Sequence, residues 1–484
     1  MSTTTHTTST AVQLLDRVHT NPASNARIRE RIAITTEAAR RAGSYIANAP
    51  YRPIAPTADA VEALDVFRRP LQDAPIAARE VLAELDAFGS PATVVQNHGR
   101  FFGFVNGGVE PAAAAAAILA TAWDQNPGLA VTSPTAALLD EVAAGWVLDL
   151  LGMPEGAVAT FTTGATLANF TGIVSARDAL LARAGWDVNE KGVFGAPRIR
   201  VIVGDEVHAS ALKSLRMAGF GPGDVERVPT DDSGAVIASE LPTDTDALTL
   251  VLLQAGNVNT GASDPFADII PGVRDRGGWV HVDGAFGLWA AASPARRSLV
   301  EGVQLADSWA TDAHKWLNAP YDSGIVIVRR DEDLRRAMRI EAPYLKTDEE
   351  RPLIHLTPHM SQKARGVETW ALLAALGKDG VADLVDRTSD HAAEFARLLF
   401  EGGAEVLAPV RLNQALIAFG DDATTEAVIS GVQSEGTMWA GGTFWHGRKA
   451  MRISVSDAAT TSDDIAASAA AVLRVWETLR LRAG

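Results

Sequence analysis

The chain of 484 residues contains no cysteine. Disulfides, thiolate metal centres and cysteine nucleophiles are thereby excluded, and a reducing compartment is compatible with the composition. Tyrosine is nearly as scarce, at 4 residues, and the 10 histidines are scattered, so no metal site is expected. No uncharged apolar run reaches the roughly 18 residues of a membrane-spanning helix, so no membrane partner is expected. The first residues, MSTTTHTTSTAVQLL, lack the basic start and apolar core of a secretory signal, and the expected location is cytoplasmic. Positive charge is also short: 43 Lys and Arg against 59 Asp and Glu leave a net charge of −16 and a pI near 5.1. A nucleic-acid partner is therefore disfavoured. There is no GxGxxG turn after a strand, no GxxxxGKS/T loop, no HExxH and no GxSxG, so dinucleotide, P-loop, zinc-protease and serine-hydrolase readings lose their signatures.

What remains is a globular composition, 47% hydrophobic and 21% charged with mean hydropathy +0.05, in a chain too long for one core. Three parts are expected. Residues 1–90 read as a Thr-rich tail, too polar to offset its ordering entropy, followed by a helical segment that lies on another domain or a second subunit. Residues 91–365 read as a large domain and 366–484 as a smaller α+β domain. From Arg198 onward apolar strands alternate with helices, which implies an α/β fold with a mostly parallel sheet covered on both faces. The run from Ala342 to Gly366 carries three prolines between helices and reads as a lid or binding loop.

In parallel sheets ligands sit at the carboxyl ends of the strands. Trp279 to Val282 is an apolar strand ending on Asp283. Lys315 precedes a second apolar strand, Gly324 to Val328, with enough chain between for a helical excursion and a return. Val158 to Phe161, the small-residue turn Thr162 to Thr166 with Gly164 inside it, and the helical pattern from Leu167 make an anion site of free backbone N–H groups and helix dipole. His208 falls at the mouth of the same edge. Pyridoxal 5'-phosphate (PLP) chemistry needs a lysine amine to form a Schiff base, a carboxylate to keep the pyridine nitrogen protonated, donors for a phosphate and a flat group over the ring. Lys315, Asp283, Thr163 to Thr166 and His208 meet those needs in that order. Each residue alone is an ordinary surface charge, turn former or helix cap. Together on one edge they point to a cofactor site.

At these residues the chain resembles the group II pyridoxal-dependent decarboxylases, the family of aromatic amino acid and glutamate decarboxylases. ADSWATDAHKWLNAPYDSG looks like the family's lysine segment, HVDGAFG its aspartate strand, DEVHASALKSLRMAG its ring-stacking histidine segment and GATLANFTGIVSARD its phosphate turn. RFFGFVNGG and SPTAALLDEVAAGWVLDLLGMP resemble the start of its large domain. The match runs in order over roughly residues 90 to 380. The resemblance implies fold type I, the aspartate aminotransferase-like fold, a homodimer, and cleavage of a Cα bond held perpendicular to the cofactor ring. Lys315 would carry the cofactor, supported by His314. Asp283 would pair with the pyridine nitrogen, and Ala285 would pack opposite His208. Gly164, Ala165 and Thr166 would bind phosphate, Asn257 would lie near the cofactor, and Phe104 and Gly107 would contact substrate.

The implied reaction is decarboxylation of an L-amino acid to amine and CO2. One departure bears on it. Aromatic decarboxylases of this family use a loop tyrosine to reprotonate Cα, yet here the tyrosines are Tyr45, Tyr51, Tyr321 and Tyr344, and none lies between Leu345 and Arg365. His355, His359 or water would have to donate, and without a donor an aldehyde-forming oxidative deamination would compete. Arg452 supports an aminotransferase or other PLP lyase as the alternative, because an arginine can clamp a substrate carboxylate bidentately. A catalytically silent binding protein is the third reading. Phe101, Phe102, Phe104 and Trp123 hint at an apolar or aromatic substrate, while Trp439, Phe444 and Trp445 read as small-domain core.

Overall fold

The strand and helix alternation from Val158 onward builds one seven-stranded sheet in the computed structural model, which describes residues 22–340 and 351–483. Its strands are β1 (Val158–Thr162), β2 (Arg200–Gly204), β3 (Val225–Val228), β4 (Thr249–Gln254), β5 (Trp279–Asp283), β6 (Ser308–Asp312) and β7 (Gly324–Val328). The spatial order is β1-β7-β6-β5-β4-β2-β3. Strands β2 to β6 are parallel, and β7 is antiparallel to both β1 and β6. Every residue of β4, β5, β6 and β7 is buried, as central strands covered on both faces require. The period of two sorts their side chains: Val280 and Val282 join one core, Trp279 the other.

The described chain divides into two compact units, with the boundary after Val95. The first is helical, with α1 (Pro22–Asn48) and shorter turns at Ala58–Glu62 and Ala78–Glu84. It leaves Tyr51 and Leu71 almost fully exposed. In the second unit, α2 (Pro111–Trp123) and α3 (Pro134–Leu150) each start on proline, whose fixed φ and missing N–H suit a first turn. Then follow α4 (Ala165–Arg183), α5 (Ala209–Met217), α6 (Phe266–Asp275), α7 (Asp331–Met338), α8 (Arg365–Glu401), α9 (Asp422–Glu435) and α10 (Ser462–Ala483). α4 crosses one face of the sheet against β5, β6 and β7. α8 is broken at Gly377, whose φ of 62° is non-helical.

A second, antiparallel sheet has the order β10-β11-β9-β8, from β8 (Glu405–Val406), β9 (Gln414–Ala418), β10 (Gly441–Trp445) and β11 (Arg448–Ser454). His446 and Gly447, both at positive φ, make the tight β10–β11 turn.

Two expectations change. No α-helix fills the chain between Asp283 and Lys315: it runs through 3-10 turns at Gly287–Ala292, Arg297–Val300 and Val303–Leu305 and then forms β6. At Gly287 the chain packs against the loop after β4 so closely that a Cβ would lie 2.4 Å from Ala255 O. Of the expected lid, residues 341–350 and with them Tyr344 lie outside the described residues. The part that follows is anchored, with Leu353, Ile354 and Leu356 all buried and Arg351 paired with Asp140 at 3.0 Å.

Candidate active site

The loop from β6 to β7 presents Lys315, and three neighbours fix it. Lys315 Nζ lies 3.0 Å from Asp312 Oδ2, and Asp312 is only 2% exposed. Asp312 Oδ1 accepts the Ala165 N–H at 2.5 Å, at the first residue of α4. Behind the lysine, a Cβ on Gly107 would stand 1.9 Å from Lys315 O, so only glycine lets that backbone approach.

Asn318, at φ 63°, joins three segments. Its Oδ1 accepts from Gly108 N at 2.8 Å and Ala458 N at 2.9 Å. Its Nδ2 donates to Trp316 O and Ser456 O, each at 2.8 Å. All four hydrogen bonds of one buried carboxamide thus hold the lysine loop to the Gly107–Gly108 loop and to the chain after β11.

Asp283 ends β5 beside this loop, 5% exposed. Its Oδ1 accepts the Ala285 N–H at 3.2 Å, whereas its Oδ2 is buried without a partner. His208 caps α5, its Nδ1 2.6 Å from Ser210 Oγ. Partial burial is the main cause that lowers its pKa; Asp283 opposes the shift, and Lys315 and Arg452 reinforce it. His314 Nδ1 accepts the Ser323 N–H at 3.1 Å, which leaves the ring proton on Nε2, 3.8 Å from Asp312 Oδ1. Burial lowers its pKa as well. Its ring centroid is 4.3 Å from that of Tyr321, whose hydroxyl donates to Asn106 Oδ1 at 2.9 Å. Burial, with Asp312 adding to it, pushes the Tyr321 phenol up to about 12.

Other expected site residues make the following contacts. Ala165 N–H is not free for an anion, because Asp312 holds it, and Thr166 O accepts from Ser214 Oγ at 2.8 Å. Asn257 is spent inside its own loop, its Oδ1 accepting from Asn259 N and Thr260 N. His355 sits on the turn Leu353–His355, its Nδ1 facing Ile340 N at 3.4 Å. The four aromatics do not form one cluster. Phe102 is buried edge-on to Phe395, and Trp123 ends α2 partly exposed. Phe101 and Phe104 both stack on Trp439, at 5.2 and 5.4 Å, and Phe104 is 63% exposed. Trp445 is core, whereas Phe444 is 64% exposed. Asp312, Asn318 and Tyr321 are site neighbours that sequence reasoning did not single out. The DxHK spacing was the available signal for Asp312, since i and i+3 side chains meet on one turn.

The donor set fits PLP. A buried carboxylate oxygen without a partner is what a protonated ring nitrogen requires, and a primary amine stands at the neighbouring strand end. The model of the pyridoxal-dependent decarboxylase conserved domain matches residues 71–420. The chain belongs to this family. Among relatives of these decarboxylases, it is 26% identical over 330 residues to the aromatic-L-amino-acid decarboxylase of Bacillus atrophaeus, covering 66% of each chain. It is 25% identical over 289 residues to the phenylacetaldehyde synthase of Arabidopsis thaliana, covering 56% of this chain and 58% of that one. The structure of Oryza sativa TDC with PLP and tryptamine superposes with a TM-score of 0.86 at 20% identity, over 95% of this chain and 99% of that one. The fold is therefore that of the fold type I PLP enzymes, and the family's cofactor is PLP. Among the described residues no helix is long and apolar enough to cross a membrane, and no group of His, Asp and Glu is arranged to hold a metal.

Proposed function

We propose that the protein is a PLP-dependent L-amino acid decarboxylase that releases CO2 and an amine. The observation that carries this reading is the buried, unpartnered Asp283 Oδ2, set at the same sheet edge as Lys315 Nζ. When bound, PLP supplies an electron sink for the pair left on Cα. Lys315 Nζ would anchor the cofactor, and Asp283 would keep a proton on the ring nitrogen. His208 and Ala285 would cover the ring and exclude water. Burial lowers the pKa of both His208 and His314, which disfavours positive charge beside the substrate carboxylate and would favour its departure as neutral CO2.

The proton returned to Cα is assigned to the segment after residue 350, from His355 or from His359, whose Nδ1 is buried without a partner. An inefficient donor leaves the carbanion open to oxygen, with aldehyde, ammonia and peroxide as products; the likeness to a phenylacetaldehyde synthase keeps that branch open. Arg452 favours a second reading. It is half-buried in β11 and, among the described residues, its guanidinium has no hydrogen-bonding or ion-pair partner. Bound to the substrate's α-carboxylate it protects that group and promotes transamination; bound to a distal group it selects the side chain. Screening L-amino acids for CO2, amine, aldehyde and keto acid decides between these. CO2 with amine is expected, and keto acid without CO2 overturns the reading.

The reading includes a homodimer. On α2 and α3, Ile118, Leu119, Trp123 and Leu138 are more than 40% exposed, apolar surface whose burial stabilises by about 25 cal/mol per Å². Light scattering is expected to give twice the chain mass of 51.0 kDa, and a monomeric mass contradicts the proposal.

A further inference from the structure

We propose that Asp312 is a resident anion that competes with the cofactor's phosphate for the N-terminus of α4, and so sets how tightly this protein holds PLP. The inference rests on reading the Gly164–Thr166 turn as the phosphate site. That turn offers the first free N–H groups and the positive end of the helix dipole to an anion. Here the anion is already present: Asp312 Oδ1 takes the Ala165 N–H at 2.5 Å, a charge-assisted contact. The other oxygen, Oδ2, takes the Lys315 ammonium at 3.0 Å. One buried carboxylate therefore occupies both groups through which the cofactor would be gripped.

The backbone of Asp312 is fixed. Its N–H donates to Ala285 O at 2.9 Å, and its carbonyl accepts Trp289 Nε1–H at 3.0 Å. It is also paired in register with Gly324 on β7. On Gly324 a Cβ would stand 2.4 Å from the Gly164 backbone, so strand and turn are in direct contact. With the cofactor held by Lys315, the nitrogen would no longer offer Asp312 a free ammonium. The carboxylate then faces a phosphate at the same helix end, in a site with little water, and like charges sharing one donor repel. Asparagine at this position keeps the size and an oxygen for Ala165 N–H, and removes the charge.

The test uses the full chain stripped of cofactor, and compares wild type with Asp312→Asn and Asp312→Ser. Three probes are titrated: PLP, pyridoxal (the same ring and aldehyde without phosphate) and inorganic phosphate as a competitor of PLP. Removing the charge is expected to tighten PLP and inorganic phosphate by about tenfold, and to leave pyridoxal within about twofold. Unchanged or weaker binding of PLP and phosphate overturns the proposal. Equal tightening of PLP and pyridoxal also overturns it, because the effect then runs through Lys315 and not through the phosphate. If neither variant folds, the wild-type preference for PLP over pyridoxal decides. Below about a hundredfold it supports a phosphate site that is already partly filled, and above that it overturns it. If PLP fails to bind wild type, or binds Lys315→Ala equally well, the cofactor reading itself fails, an outcome distinct from the others.

Discussion

Lys315→Ala is expected to lose the visible absorbance of bound PLP and to lower the decarboxylation rate by at least about three orders of magnitude, or about 4 kcal/mol of transition-state stabilisation. No other amine is fixed at this edge by the contacts that hold Lys315. Its nitrogen is placed by Asp312, and its carbonyl is wedged against Gly107 where no Cβ fits. Alanine also strips a buried carboxylate of its counter-charge, and that lowers stability for reasons unrelated to catalysis. Lys315→Arg separates the two effects. The guanidinium keeps a positive charge beside Asp312, so the melting temperature is expected to stay closer to wild type, while the guanidinium cannot condense with an aldehyde. Activity in Lys315→Arg above about a tenth of wild type would mean that the cofactor is anchored elsewhere.

Asp283→Asn is expected to retain PLP and to lower kcat by roughly 10²- to 10³-fold with a much smaller change in KM, as for loss of one preorganised electrostatic group. The carboxamide is nearly isosteric and still reaches the Ala285 N–H, which Asp283 Oδ1 now holds at 3.2 Å. What it lacks is the negative charge at Oδ2, the atom that has no protein partner. A wild-type kcat in this variant would reduce Asp283 to a turn former at the end of β5.

The contrast between β5 and β6 explains how far the sequence is legible. Trp279 to Val282 is an apolar run closed by Asp283 and Gly284, so the strand and the carboxylate at its end follow from pattern alone. Ser308 to Asp312 is SWATD, which has no such pattern, although all five residues are buried. Ser308, at its start, is satisfied by neighbours distant in sequence. Ser308 Oγ receives Trp279 Nε1–H at 2.9 Å and lies 2.8 Å from His281 Nδ1, whose Nε2 faces Asn169 Oδ1 at 2.8 Å. Burial of β6 thus depends on hydrogen bonds that no local window contains, and Asp312 was passed over with it.

The same limit applies to Asn318, whose four partners lie on three segments far apart in the chain, and to Trp439, which meets Phe101 and Phe104 across more than 300 residues. Motifs carried by one segment were readable: the lysine loop, the β5 carboxylate, the α4 turn and the His208 cap. Electrostatics between segments were not. The helix was expected from Leu167 but starts at Ala165, whose N–H points at a carboxylate supplied from β6.

The most direct test is to treat the PLP-loaded protein with borohydride, digest it and locate the reduced cofactor by mass spectrometry. The account predicts a single modified peptide carrying the phosphopyridoxyl group on Lys315. Label on any other lysine, or none at all while decarboxylation proceeds, would contradict it.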